Sequence, residues 1–377
     1  MEAKKRLYLS SPTMHGKELE FINEAFDTNW VAPLGKNVDG FEEDMQNYLG
    51  EDMYAAALSS GTDAIHLSFI ISGIKRDDVV FGSDLTFAAT VNPISYIGAK
   101  PVFIDSDYES WNMDPKALEK AFEKYPDAKA VITANLYGTP ARLDEIARIC
   151  REHNAVFIED AAESLGASYN GEKTGRFGDM GILSFNGNKI ITTSGGGMLV
   201  SKNEADVKKA RFLATQAREP ARHYEHKEIG YNYRMSNIVA GIGRGQMLHL
   251  DEHVRLKTQI RKRYEEAFSD IEEITLNPYY ENSEPNFWLT CMTIDEKSPV
   301  KPLDIMEALD KENIETRPIW KPMHLQPVYA GRDFIQVKDG ISVGEDIFNR
   351  GLCLPSDIKN TEEDMEKIIS IIRRFFR

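Results

Sequence analysis

The sequence contains few cysteines and no long apolar run. Its three cysteines, Cys150, Cys291 and Cys353, are odd in number and far apart, which excludes a disulfide framework and a zinc site of ordinary spacing. No segment has the length and apolarity of a membrane span, and the stretch MEAKKRLYLSSPTMHG lacks the apolar centre of a signal peptide. We therefore expect a cytoplasmic protein without a membrane partner.

Positive charge is also in deficit. Lysine and arginine number 45 against 60 aspartates and glutamates, so the formal net charge is −15. Nucleic acid is therefore not an expected partner, because its phosphates require clustered basic side chains. A small anionic ligand stays compatible with this charge, because a local site can be positive on a negative body.

Two nucleotide-binding signatures are absent as well. Neither GxGxxG with an acidic residue downstream nor GxxxxGK[ST] occurs. Their absence weakens one interpretation of the chain, that of a non-catalytic nucleotide-binding or regulatory module on an α/β scaffold.

What the sequence does contain, between residues 50 and 200, is an alternation of short apolar runs and amphipathic stretches. The runs 79–82, 101–105, 130–135 and 155–160 predict buried strands, and the stretches 114–125 and 141–153 predict helices. This alternation predicts an α/β fold with a mainly parallel central sheet and helices on both faces. A long charged helix, roughly 246–270, precedes a segment of α+β type, so we predict a large domain over 1–250 and a small C-terminal α+β domain over 251–377.

Ligands gather at the carboxyl ends of the strands in such sheets. Asp160 follows the apolar run AVFI and Glu159, where a carboxylate either caps the next helix or pairs with a cation. Ser59, Ser60, Gly61 and Thr62 precede an apolar helix, which is typical of ordinary capping and also of a phosphate site.

Two further positions suggest a planar ligand. Phe87, in DLTFAAT, either fills the core or offers a flat face to a ring. Lys189 is expected on the same short element as Ser184, before three glycines, 195–197, that permit close backbone approach. A phosphate for the helix, a plane for Phe87, a ring nitrogen for Asp160 and a carbonyl for Lys189 together describe pyridoxal phosphate. A carboxylate beside the pyridine nitrogen keeps it protonated, and the lysine forms the Schiff base and can move a proton.

These residues, in this order, resemble the sugar aminotransferases of the DegT/DnrJ/EryC1/StrS family, a branch of the fold-type I pyridoxal phosphate enzymes. The resemblance covers nearly the whole chain, through blocks such as NWVAPLG, SSGTDAIHL, LTFAATVNPI, IEDAAESLG, SFNGNKIITTSGGGMLVS, GYNYRMSN and ETRPIWKPMH. Two of them, SFNGNKIITTSGGGM and AREPARHYEHKEIGYNYRMSN, are most similar to enzymes that aminate UDP-linked 4-keto-6-deoxy-N-acetylhexosamines.

The resemblance implies a role for each matching residue. Lys189 would carry the cofactor and Asp160 would pair with the pyridinium nitrogen, while Glu163 would approach the ring on the side of its hydroxyl. Phe87 would stack on the ring. The phosphate would be held by Gly61, Thr62, Ser184 and, from the neighbouring subunit, Asn232. The working unit would then be a homodimer with shared active sites.

Two loops are expected to meet the substrate. The first comprises Asn29, Trp30, Val31 and Ala32, which could equally form a plain Pro/Gly turn. The second contains Arg317, Trp320 and His324, which could equally form a solvated loop. His223 and His226 have a metal-compatible spacing, but the sequence shows no second cluster of ligands, so no metal is expected.

The resemblance thus implies amino transfer from L-glutamate to C4 of a UDP-linked 4-keto-6-deoxy-N-acetylhexosamine, in bacterial glycan or exopolysaccharide synthesis. The cofactor-dependent sugar dehydratases of the same family have histidine in place of the lysine, so Lys189 argues against that activity. Transfer at C3, or to a GDP- or dTDP-linked sugar, stays open because specificity depends on the shape of the pocket.

Overall fold

The structure is a computed structural model that describes residues 5–340 and 342–376. Residues 1–4, Ile341 and Arg377, which fall within the two predicted domain ranges, lie outside the described residues. None of the described helices combines the length and the apolarity needed to cross a membrane.

Helices and strands alternate through the first half of the described chain. The helices are α1 (Lys17–Asp27), α2 (Lys36–Leu49), α3 (Gly61–Ile71), α4 (Asn92–Tyr96), α5 (Pro115–Lys124), α6 (Leu143–Glu152), α7 (Glu204–Leu213), α8 (Asn237–Met247), α9 (Leu250–Phe268), α10 (Pro302–Lys311), α11 (Val343–Arg350) and α12 (Glu362–Arg373). The strands are β1 (Tyr54–Leu58), β2 (Val79–Ser83), β3 (Lys100–Ile104), β4 (Ala130–Ala134), β5 (Val156–Asp160), β6 (Ser168–Tyr169), β7 (Glu172–Lys173), β8 (Met180–Ser184), β9 (Gly197–Ser201), β10 (Ile274–Leu276), β11 (Ser283–Glu284), β12 (Cys291–Ile294), β13 (Arg317–Pro318), β14 (Phe334–Ile335) and β15 (Gly351–Cys353).

The largest sheet has eight strands in the order β1-β9-β8-β5-β4-β2-β3-β14. All neighbouring pairs are parallel except those of β9, which runs antiparallel to both β1 and β8. Alternate residues along β2 point to opposite faces, so Val80 packs with α3 and α4 whereas Phe81 packs with α5 and α6. The predicted class, a mainly parallel sheet with helices on both faces, is confirmed.

The C-terminal part forms a second core. An antiparallel sheet in the order β10-β12-β15-β13 packs with α9, α10 and α12 around residues such as Tyr264, Ile305 and Ile368. Backbone pairs cross residue 250 in both directions: Leu7 bridges Ile314, and β14 joins the large sheet beside β3. The domain division at residue 250 stays a prediction.

Two local predictions differ from the structure. The charged helix expected over roughly 246–270 is α9, which begins four residues later, at Leu250, because a turn at 248–249 separates it from α8. Ser184 and Lys189 were expected on one element, but Ser184 ends β8 whereas Lys189 lies in the turn that follows.

Candidate active site

The carboxyl ends of β1, β2, β5 and β8 meet at one edge of the large sheet. Asp160 and Ser184, the last residues of β5 and β8, and Ser59 and Phe87, which follow β1 and β2, lie on the walls of a cavity of about 280 Å³. A parallel sheet brings such residues together because its strands end on the same side. The predicted residues that line this cavity are Gly61, Thr62, Phe87, Asp160, Glu163, Ser184, Lys189 and Trp320.

The N-terminus of α3 forms one end of the cavity. Ser60 caps the helix, since its Oγ accepts a hydrogen bond from the Asp63 N–H at 3.0 Å. The first N–H groups of a helix lack intrahelical partners and favour an anion. Gly197, the last of the three glycines, packs against this terminus so closely that a Cβ there would lie 2.2 Å from the Gly61 nitrogen. The glycine therefore lets β9 approach the helix without filling its end.

A buried carboxylate, Asp160, lies elsewhere on the cavity wall. Its side chain accepts hydrogen bonds from Thr90 Oγ1 at 2.8 Å and from the Ala162 N–H at 3.1 Å. Burial raises the pKa of the Asp160 carboxyl, while these hydrogen bonds and the charge of Lys189 act in the opposite direction. A positive ligand group beside it would lower that pKa further and so would bind favourably.

Lys189 presents its amine to the same cavity. The Nζ atom lies 3.4 Å from Glu163 Oε1, and only 12% of the lysine side chain is exposed. Burial raises the pKa of Glu163, against the effect of the Lys189 charge, and the Tyr137 N–H donates to Glu163 Oε2 at 2.7 Å. An amine and two acids thus share one largely enclosed space.

Sequence reasoning missed several residues of this site. Trp288 lines the cavity with its ring centre 4.1 Å from Lys189 Nζ, and Tyr137 stacks with Trp320 at 5.9 Å between centroids. Thr90 holds Asp160, as described above. The block NLYG contains Tyr137, but neither NLYG nor NFWLTC carries a signal that would have identified these side chains.

The remaining predicted residues lie outside this cavity in the described chain. Trp30 lines a second cavity of about 690 Å³, and its neighbours Asn29, Val31 and Ala32 belong to the same loop. Asn232 is exposed on a strand-like segment that bridges Thr215. Their substrate and cofactor roles stay predictions.

The three residues of the second loop predicted to meet the substrate lie in different places in the structure. Trp320 reaches the cavity, where its ring lies 5.4 Å from that of Phe87. Arg317 is exposed and donates to Glu315 at 2.7 Å, while His324 Nδ1 lies 2.7 Å from Asp84 Oδ2. Any substrate contact by Arg317 or His324 therefore stays a prediction.

Possible metal ligands lie elsewhere in the structure. His223 and His226 lie on a segment without helical structure, so the spacing that would suit a helix has no such meaning. His15, His249 and Glu252 bring ligand atoms within 4.8 Å of one another. The rings of His15 and His249 stack 3.7 Å apart, so their nitrogens lie in parallel planes, which suits a single ion poorly.

The cavity residues fit a flat, phosphorylated pyridine. The helix N-terminus suits a phosphate, the close approach of Gly197 leaves it open, and the buried Asp160 carboxylate suits a protonated ring nitrogen. The Trp320 Nε1 is buried without a hydrogen-bond partner among the described residues, which is consistent with a ligand group at this wall.

Comparison with known proteins gives a consistent result. The model of the DegT/DnrJ/EryC1/StrS aminotransferase family matches residues 12–373. The chain is 50% identical to the putative pyridoxal phosphate-dependent aminotransferase EpsN of Bacillus subtilis, with 99% of this chain and 96% of that protein covered. It is 34% identical to GDP-perosamine synthase of Caulobacter vibrioides, with 97% of both chains covered.

One similar relative has a UDP-sugar in its name. It is the UDP-4-amino-4,6-dideoxy-N-acetyl-beta-L-altrosamine transaminase of Campylobacter jejuni, 36% identical over 237 residues, with 62% of both chains covered. Among solved structures, a DegT DnrJ EryC1 StrS aminotransferase from Brucella abortus has a TM-score of 0.87 at 27% identity and covers 96% of this chain and 95% of its own. The predicted fold type, that of the fold-type I aminotransferases, is confirmed.

Proposed function

Because the chain belongs to the DegT/DnrJ/EryC1/StrS aminotransferase family, we propose that it transfers an amino group from L-glutamate to C4 of a UDP-linked 4-keto-6-deoxy-N-acetylhexosamine. The product would serve bacterial glycan or exopolysaccharide synthesis. The observation that carries the proposal is one cavity that combines the Lys189 amine, the Asp160 carboxylate and the N-terminus of α3.

The predicted cofactor, pyridoxal phosphate, is confirmed by the family. When bound, it supplies an aldehyde for amine exchange and a protonated ring that accepts electrons. Gly61, Thr62 and Ser184 would bind its phosphate, and Phe87 would pack against its ring. Asp160 would keep the ring nitrogen protonated.

Lys189 would perform the proton transfers. Its amine would hold the aldehyde between turnovers, and once released it would carry a proton from one of the two carbons bonded to the transferred nitrogen to the other. Glu163 Oε1 accepts a hydrogen bond from this amine at 3.4 Å and would help to hold it in place. Trp288 and Trp320 would exclude water from the same space, since both line the cavity.

We also propose that the active unit is a homodimer with shared sites. Asn232 would reach the phosphate of the neighbouring subunit's cofactor, and the loop 29–32 with Arg317 and His324 would meet the nucleotide sugar. The exposure of Asn232, Trp30 and Val31 in one protomer supports this arrangement, since these side chains are free to meet a second copy.

A second candidate is the same transfer to a GDP-linked sugar. It is favoured by the 34% identity to a GDP-perosamine synthase across the whole chain. The UDP-linked substrate is supported by the blocks around Lys189 and Asn232 and by the name of the Campylobacter relative.

A panel of substrates tests the proposal. The protein, loaded with pyridoxal phosphate, is incubated with L-glutamate and UDP-, GDP- or dTDP-linked 4-keto sugars, and products are identified by mass spectrometry and NMR. We expect amination at C4 of the UDP-linked N-acetylhexosamine. Preferred amination of a GDP-sugar would replace this substrate by the second candidate, amination at C3 would overturn the C4 assignment, and no amination of any sugar would favour a non-catalytic protein.

A further inference from the structure

Lys257, on α9, is a buried amine outside the cavity. The residue is 4% exposed, and its Nζ lies 3.1 Å from Ser10 Oγ, 3.0 Å from the Trp288 carbonyl and 2.6 Å from the Ser356 carbonyl. An ammonium group has three N–H donors, and here it meets three oxygens from three distant segments. One nitrogen therefore joins the N-terminal segment, the connection between β11 and β12 that carries Trp288, and the segment after β15.

Two of these three contacts lead to the residue before the reactive lysine. The Trp288 Nε1–H donates to the Asn188 carbonyl at 2.6 Å, and the Ser10 hydroxyl donates to the same carbonyl at 3.0 Å. Both donors are held in turn by Lys257. The backbone immediately before Lys189 is thus fixed through groups that contact one buried amine.

Trp288 also touches the reactive amine itself. Its indole ring lies under Lys189 Nζ at 4.1 Å, close enough for a cation–π contact, and the side chain is buried at 1% exposure. The backbone N–H of Trp288 donates to Asn286 Oδ1 at 2.8 Å and its indole N–H to the Asn188 carbonyl at 2.6 Å, so both the backbone and the ring are held. A rigid ring on one side and Glu163 on the other restrict where the amine can lie.

We propose that Trp288 is a further catalytic residue, which contacts and orients the Lys189 amine, and that Lys257 is a positioning residue, which holds Trp288 in place. The inference rests on the proposed function, in which the Lys189 amine is the reacting group. It differs from a purely structural role for Lys257, which would leave the reactivity of Lys189 unchanged in any variant that folds.

The test measures how fast the protein without cofactor captures added pyridoxal phosphate at Lys189. Borohydride fixes the attachment at successive times, and peptide mass spectrometry quantifies it at residue 189. Four proteins are compared with the wild type: Lys257→Met, Trp288→Leu, the double variant and Lys262→Met. Lys262 is an exposed lysine on the same helix and serves as the matched control. All rates are taken at a temperature at which circular dichroism shows each variant to be folded.

We expect Lys257→Met and Trp288→Leu each to slow capture about tenfold, because an amine that the ring no longer holds in place reaches the geometry of attack less often. In the double variant the two losses should not multiply, because Lys257 acts mainly through Trp288 and only otherwise through Ser10. Lys262→Met should match the wild type.

Two results would overturn the proposal. If Lys257→Met lowers the melting temperature but captures the cofactor at the wild-type rate, Lys257 is only structural. If the losses multiply in the double variant, Lys257 does not act through Trp288. If Lys257→Met fails to fold, Trp288→Phe is tested in its place. This variant keeps a ring but loses the hydrogen bond to Asn188. If it captures pyridoxal phosphate no faster than Trp288→Leu, the catalytic role of the ring is refuted.

Capture at Lys189 requires no sugar, so this test is separate from that of the proposed function. A wild-type protein that captures pyridoxal phosphate but aminates no sugar would refute the function and leave the roles of Trp288 and Lys257 to be decided by the rates.

Discussion

Among single residues, Asp160 has the environment that most clearly serves a charged ligand. It is a buried carboxylate that accepts two hydrogen bonds. Among the described residues no cation contacts it directly, and the charge of Lys189 acts on it from a greater distance. Its raised pKa means that burial disfavours the carboxylate form until a positive group is placed beside it. A protonated ring nitrogen is such a group.

Replacing Asp160 by Asn should therefore leave the fold intact and slow amino transfer by about 100-fold or more, because the amide cannot stabilise the protonated ring. Stopped-flow absorbance with L-glutamate measures the first half of the reaction. Asp63→Asn is the control, since Asp63 accepts a hydrogen bond from Ser59 at 2.5 Å and lies outside the cavity lining. Equal rates in wild type and Asp160→Asn would remove Asp160 from the reaction.

At the scale of elements, the strands of the large sheet were easier to predict from the sequence than the contacts between the two cores. The runs 130–135 and 155–160 predicted β4 and β5 to within a residue at each end, because buried parallel strands are apolar throughout. The rule for strand ends then placed Asp160 at the site, whereas Ser184 was selected for its position close to Lys189 in the sequence. Trp288 follows no such rule, since it comes from the connection between β11 and β12 and is brought in by contacts across the chain.

Helix α9 carries Lys257, another residue whose contacts the sequence did not predict. Its contribution to the free energy of unfolding depends on pH. Burial lowers the pKa of Lys257 to about 7, against the effect of Asp357. In the unfolded chain the same amine titrates near 10.4, so between these values the unfolded chain binds more protons and the free energy of unfolding increases with pH.

We therefore expect the free energy of unfolding of the wild type, relative to that of Lys257→Met, to increase by roughly 1 to 2 kcal/mol from pH 7 to pH 9. Urea denaturation at several pH values measures this difference. Asp357 and His253, which interact electrostatically with Lys257, are present in both proteins, and burial lowers the pKa of His253 below this window. A difference that stays constant from pH 7 to pH 9 would contradict the lowered pKa.

At the scale of the whole molecule, the proposal of shared active sites depends on predicted residues that lie outside the cavity. Asn232, Trp30 and Arg317 are exposed in the protomer and stay outside the cavity that holds Lys189. Sequence alone could suggest their roles only through resemblance, because a contact between two subunits leaves no periodicity or spacing in one chain.

Mixing two inactive variants tests whether sites are shared. Lys189→Ala and Asn232→Ala proteins are dissociated, mixed and reassociated, and amino transfer is compared with that of each variant treated alone. In a shared site, one of the two sites in a mixed dimer contains both native residues, so activity should return. Activity equal to the mean of the two separate variants would mean that each chain completes its own site.

The central claim is that Lys189 carries the cofactor in the cavity that it shares with Asp160. The direct measurement is borohydride reduction of the protein loaded with pyridoxal phosphate, followed by peptide mapping. The account predicts that the mass of the reduced cofactor is found on the peptide containing Lys189 and is lost in Lys189→Ala. Attachment to another lysine, or undiminished attachment in Lys189→Ala, would contradict it.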